Sequence, residues 1–342
     1  MRKVLNQFSR SMLAFTAIVF FMVFGVTTYV SAAGNNAGND SASRYITVDG
    51  KKMHVVLYGD INQTDQTFAD QDKTALVMLP GLGVPSPHIY FKPLAQALES
   101  KFNVVIVEPL GYGLSDVTST DRTVENMNNE LDEALEILDI DACVLAVHSI
   151  SGVYGLDFVL DYPERVKGFI AIDNTIYEDS LVESLEMEKD YMLQEAEKFD
   201  NLRNSFTSIQ EFQNAISENP EEYGAALPQI NGYTYSQSDR EEYIQAYSRS
   251  SNETIKNEIT QISNSLQTIK GKKFPDSLPV LTMMASDNVE GMPGWEEGHR
   301  NQLNHESGNH ELYTLEGSHY IWYTNLSGVV ERIMEWQAKN QF

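Results

Sequence analysis

Apolar residues along this chain have two textures. In one they concentrate in short strand-like runs, over residues 74–79, 102–107, 142–147, 166–173 and 279–285. Runs of that length, rich in Val, Ile and Leu, predict strands buried on both faces. Between them, apolar residues recur at helical spacing over 89–99, 123–138 and 150–159, which predicts helices. In the second of these, Met127, Leu131, Leu135 and Leu138 share one side and the acids take the other. Residues 45–48 and 52–58 flank Asp49-Gly50, a pair that supplies a positive-φ turn, so a β-hairpin opens the fold. Strands alternating with helices predict an α/β fold with a mostly parallel sheet covered on both faces.

The texture changes from residue 174 to 274. Strand-like runs stop, and charged helical segments cover 181–199, 208–217 and 239–269. The sheet then resumes, with a further strand over 311–315 and helices over 295–303 and 321–339. We therefore divide the chain into a core, 44–173 and 275–342, and an inserted helical cap, 174–274. Residues 34–43, rich in Gly, Asn, Asp and Ser, read as a linker.

The N-terminus stands apart. Arg2, Lys3 and Arg10 precede an uncharged apolar stretch, 12–30, followed by Val30-Ser31-Ala32-Ala33. Residues 1–33 read either as a cleaved signal peptide or as a retained signal anchor. Both readings place the domain outside the cytoplasmic membrane, secreted or anchored to its outer face, with membrane contact only through this segment.

Charge and cysteine narrow the field. The 342 residues carry 24 basic and 49 acidic side chains, a formal net charge of −25. A phosphate backbone would be repelled, which argues against nucleic-acid binding. The single cysteine, Cys143, excludes an internal disulfide and falls within an apolar strand, where packing is its expected role.

Candidate chemistry centres on residues 142–156. The apolar run breaks at His148-Ser149 and a helical pattern follows. A serine on a strand-to-helix turn is the mark of a nucleophile elbow, whose turn presents the hydroxyl above the sheet edge. Such turns favour small residues two before and two after the serine. Those positions hold Val147 and Ser151.

Four segments in order resemble the α/β-hydrolase superfamily. They are Leu79-Pro-Gly-Leu-Gly83, Glu108-Pro-Leu-Gly-Tyr-Gly-Leu-Ser-Asp116, His148-Ser149-Ile-Ser-Gly152 and Gly317-Ser-His319. The resemblance covers roughly residues 44–340, and the inserted block is similar to the cap of the branch that includes esterases and proline iminopeptidases. It implies an eight-stranded-type sheet and a serine hydrolase with Ser149 as nucleophile and His319 as general base. The acid should fall between them in the chain. Asp287, after the strand over 279–285, is the preferred acid, although strict counting from that strand lands on Asn288. Asp173, ending the preceding strand, is the alternative. The oxyanion would be held by the backbone N–H groups of Leu82 and Ile150.

The expected substrate is a small carboxylic ester cleaved through an acyl-enzyme. A short peptide with a free amine, or a non-catalytic binding role, are the alternatives. No cofactor is expected. His299, His305 and His310 lack metal-ligand spacing and read as surface residues. His148 should pack beside the site, its side chain directed away from that of Ser149. Tyr177, Tyr191, Tyr223, Tyr233 and Tyr235 are candidates to line an apolar pocket under the cap.

Overall fold

A computed structural model describes residues 41–342, apart from 63 and 65. Its main strands are β1 (Ala42–Val48), β2 (Lys51–Tyr58), β3 (Ala75–Leu79), β4 (Asn103–Glu108), β5 (Cys143–His148), β6 (Val166–Ile172), β7 (Val280–Ala285) and β8 (His310–Leu315). They form one sheet in the order β1-β2-β4-β3-β5-β6-β7-β8. β2 pairs antiparallel with β1 and β4, and every later pair is parallel. A separate two-stranded ribbon joins Ile61–Asn62 to Thr67–Phe68.

The continuous apolar runs have a simple origin. All six residues of β5 are buried. Leu145 and Val147 belong to one core, Val144 and Ala146 to the opposite one. A strand sends alternate side chains to opposite faces, so covering both faces requires both sets to be apolar. Helices α2 (Val124–Ile137) and α3 (Ser151–Asp161) cover the first face. Helix α1 (Pro87–Leu98), with Phe91 and Leu94, covers the second.

β1 starts at Ala42, inside the stretch expected to be linker, because its ladder with β2 continues to the Ala42–Leu57 pair. The apolar stretch over 12–30 lies outside the described residues. Among the described residues, no helix is long and apolar enough to cross a membrane.

Four helices separate β6 from β7: α4 (Asp179–Asn204), α5 (Ile209–Glu218), α6 (Gln237–Tyr247) and α7 (Glu253–Thr268). The single helix expected over 239–269 is two. Ser251 adopts φ 54°, and the Asn252 side chain caps α7 by accepting from the N–H groups of Thr254 and Ile255. Such side chains satisfy the orphan donors of a new helix. After β7 come α8 (Ser286–Gly291) and α9 (Trp295–Gln302). The closing helix is also divided, into α10 (Ile321–Thr324) and α11 (Leu326–Asn340). Asn325 caps the second part, and Ile333 and Trp336 add to the second core.

Glu108 ends β4 and is fully buried. It accepts from the N–H groups of Leu114 at 2.7 Å and His88 at 3.1 Å, and meets His54 Nδ1 at 2.8 Å. Burial pushes its pKa up, but the hydrogen bond and charge of His54, with those two N–H groups, hold it below the usual carboxylate range. The loop closes over this carboxylate at Gly113, φ 52°, where a Cβ would lie 1.9 Å from Oε2. Gly113→Ala is expected to cost about 3 kcal/mol of stability. Gly50→Ala, at φ 68° but with open surroundings, should cost about 1 kcal/mol. Thermal melts of the two variants check the difference; equal shifts would refute this account of the loop.

Candidate active site

β5 ends at His148 and α3 begins at Ser151, so Ser149 and Ile150 form the whole turn. Ser149 has φ 55°. A non-glycine residue in this region carries about 1–3 kcal/mol of strain and persists only where its surroundings hold it. Here its carbonyl accepts from Gly152 N at 2.9 Å and Thr175 N at 2.8 Å. Close packing around the turn needs glycines. A Cβ on Gly81 would lie 3.0 Å from Ser149 Cβ, and one on Gly152 would lie 2.5 Å from Asn174 Cβ. Ser151 is engaged elsewhere, donating its hydroxyl to the Pro80 carbonyl. Val147 is accommodated by Gly155, where a Cβ would come within 3.0 Å of Val147 Cγ1. Room for the branched side chain is thus made one turn into α3.

The acid expectation requires correction. The carboxylate that meets His319 belongs to Asp173, with Oδ2 2.7 Å from Nδ1. Asp287 is exposed in the first turn of α8 and joins the site only through its N–H, which donates to the Gly317 carbonyl at 3.2 Å. The reason lies in the sheet. β6 and β7 are parallel neighbours, so the residues that follow both strands arrive under the His319 loop. The chain turns into α8 directly after β7, which carries Asp287 outward and Asn288 inward.

Asp173 is fully buried at φ 42°. Its Oδ1 accepts from Ala285 N at 2.9 Å and Trp295 Nε1 at 3.2 Å. Its Oδ2 also accepts from Asn288 Nδ2. This carboxylate can only accept, so His319 Nδ1 is the donor and Nε2 carries the basic lone pair. Asn288 and Trp295 were not singled out from the sequence as site residues. Counting from β7 reached Asn288 but could not show that its amide serves an acid on the neighbouring strand.

Two further histidines support the site. His148 is buried, and its Nε2 donates to the His319 carbonyl at 3.1 Å. Burial, and then the nearby His319, push its pKa well below the usual histidine range. Its ring packs on those of His319 and Tyr320, with centroids 4.5 and 4.7 Å away. His299, expected at the surface, is instead buried on the inner side of α9. It is held between the Trp295 carbonyl at 2.7 Å and the Asn174 carbonyl at 3.0 Å. It thereby fixes the residue that follows Asp173. His310 is also buried, between Asn304 N and the Pro275 carbonyl, whereas His305 is exposed.

Above the elbow lies a cavity of about 380 Å³. Ser149, Ile150, Leu82 and His319 all line it. Among the described residues Ser149 and His319 make no direct hydrogen bond, a contact that commonly tightens only with substrate bound. The cavity is also lined by Met192, Phe199, Ile255, Ile259 and Trp295. Of the five tyrosines singled out from the sequence only Tyr223 lines it, together with Tyr90, Tyr243, Tyr247 and Tyr320. Three carboxylates, Glu195, Glu221 and Glu222, also line it. Glu195 is paired with Lys198 at 2.5 Å, and the other two are exposed.

The sequence profile of the alpha/beta hydrolase fold family matches residues 74–299. This chain belongs to the α/β-hydrolase family. It is similar to the uncharacterized protein YbdG of Bacillus subtilis, 29% identical over 129 residues, 37% of this chain and 36% of that one. A cis-3-alkyl-4-alkyloxetan-2-one decarboxylase of Shewanella oneidensis is 30% identical over 95 residues, 27% of this chain and 30% of the decarboxylase. The match thus spans about a third of these relatives' length. An epoxide hydrolase from Vigna radiata has the same fold, with a TM-score of 0.60 at 18% identity, over 87% of this α/β-hydrolase and 98% of the plant protein.

Proposed function

We propose that this α/β-hydrolase cleaves neutral, apolar carboxylic esters through an acyl-enzyme on Ser149. The observation that carries the reading is the 2.7 Å contact of His319 Nδ1 with Asp173 Oδ2, beside a strained serine in an apolar cavity. A serine hydroxyl is a weak nucleophile and needs an adjacent base. In this mechanism His319 Nε2 takes the Ser149 proton as Oγ attacks the ester carbonyl. Asp173 holds the imidazole in the required tautomer and stabilises its cation. The N–H groups of Leu82 and Ile150 receive the oxyanion. His319 then returns the proton to the departing alcohol, and a water activated by the same base releases the acid.

The cavity lining supports an ester over a peptide with a free amine. An amine site needs an unpaired carboxylate near the serine. Glu195 is paired, Glu221 and Glu222 are exposed, and a further buried acid, Glu258, is occupied by two tyrosines. With a net charge of −25, anionic esters would also be disfavoured. p-Nitrophenyl butyrate is expected to be turned over with kcat/KM about 100-fold above prolyl p-nitroanilide. Steady-state assays of both compounds decide between the readings, and the reverse order would favour the peptidase. The apolar N-terminal segment supports an extracytoplasmic location, which cell fractionation would test.

A further inference from the structure

We infer that Glu258, from the inserted helices, is a positioning residue that holds both backbone segments of the oxyanion site. The inference rests on the hydrolase reading above.

Glu258 lies on α7 and is 1% exposed. A buried carboxylate is unfavourable unless its oxygens are satisfied, and an apolar residue of similar size would pack there at lower cost. Both oxygens are satisfied, by donors from different places. Tyr112 Oη, from the loop after β4, donates to Oε2 at 2.7 Å. Tyr154 Oη, one turn into α3, donates to Oε1 at 2.8 Å. Tyr112 Oη in turn accepts from Gly83 N at 3.2 Å.

The two arms lead to the two proposed oxyanion donors. One runs Glu258–Tyr112–Gly83 and ends one residue beyond Leu82. Gly83 has φ 65°, a conformation with little intrinsic preference to hold the loop in place. The other runs Glu258–Tyr154 and fixes the helix whose first turn follows Ile150. A single planar carboxylate therefore sets the separation of the Leu82 and Ile150 segments. A leucine at this position could fill the space but could accept from neither tyrosine. Oxyanion donors act through alignment, so a small displacement is expressed in the transition state more than in substrate binding.

The test compares Tyr112→Phe with Asn257→Ala in the full chain. Asn257 lies beside Glu258 on α7, and its Oδ1 accepts from Arg122 N at 2.8 Å, away from the oxyanion segments. Tyr112→Phe should lower kcat for p-nitrophenyl butyrate about tenfold with KM within about twofold. Phenylboronic acid, whose serine adduct places an oxygen where the oxyanion forms, should inhibit this variant about tenfold more weakly. Tyr154→Phe should act in the same direction through the other arm. Asn257→Ala should lower the melting temperature while leaving kcat and boronate inhibition unchanged. The inference fails if both tyrosine variants keep kcat and boronate inhibition within about twofold of wild type. It also fails if Asn257→Ala loses as much activity as they do. A wild-type protein that neither turns over the ester nor reacts with a fluorophosphonate removes the hydrolase reading itself, a result distinct from either failure.

Discussion

Ser149→Ala is expected to abolish ester turnover and covalent labelling by a fluorophosphonate. Removing the nucleophile of a serine triad lowers kcat by about 10⁶-fold, leaving only what binding and the oxyanion site supply. The fold should not suffer. Ser149 is held through its backbone carbonyl, which accepts from Gly152 and Thr175, and alanine keeps that carbonyl. A φ of 55° is equally awkward for alanine, so the melting temperature should be unchanged. Activity-based labelling of wild type and variant, with a melt of each, separates chemistry from stability. Labelling that survives the substitution would place the nucleophile elsewhere.

Asp173→Asn carries the second largest expected effect. The amide keeps the size of the side chain but can present an N–H to His319 Nδ1, which favours the wrong tautomer. In a serine triad this change lowers kcat by about 10⁴-fold. Asp287→Asn should leave kcat within about twofold of wild type, as expected for a surface change, because Asp287 is exposed and reaches the site only through its backbone. The two variants assayed side by side assign the acid. Loss of activity in Asp287→Asn with retention in Asp173→Asn would overturn the assignment made from the geometry.

Much of the core was legible because its strands are buried on both faces. That condition forces unbroken apolar runs, and 142–147 and 168–172 stand out from polar flanks for this reason. Ser149 was legible as a candidate because a strand-to-helix break is a local event. The acid was not. Whether Asp173 or Asp287 reaches His319 depends on how the ends of two neighbouring strands converge, and no local pattern encodes that. Asn288 is instructive here: counting reached the position, but its residue type made sense only beside Asp173. The break between α6 and α7 was missed for a different reason. Helical periodicity on both sides hid a short capped turn at Ser251 and Asn252. His299 was misplaced because polar neighbours on α9 conceal its single inward side.

The fastening of α7 also has a bearing on where the inserted helices of this chain can be exchanged. Asn252 donates to the Gly111 carbonyl at 2.7 Å, and Thr254 donates to the Thr118 carbonyl at 2.9 Å. Arg249 reaches the carbonyls of Leu114 and Ser115. The last inserted helix is therefore stitched to the loop after β4, although the chain order counts it with the lid. A foreign lid grafted in place of all four helices would sever these stitches. One that replaced only the helices before Ser248 would leave them whole. The seam along which the inserted helices could be exchanged thus runs through the turn between α6 and α7.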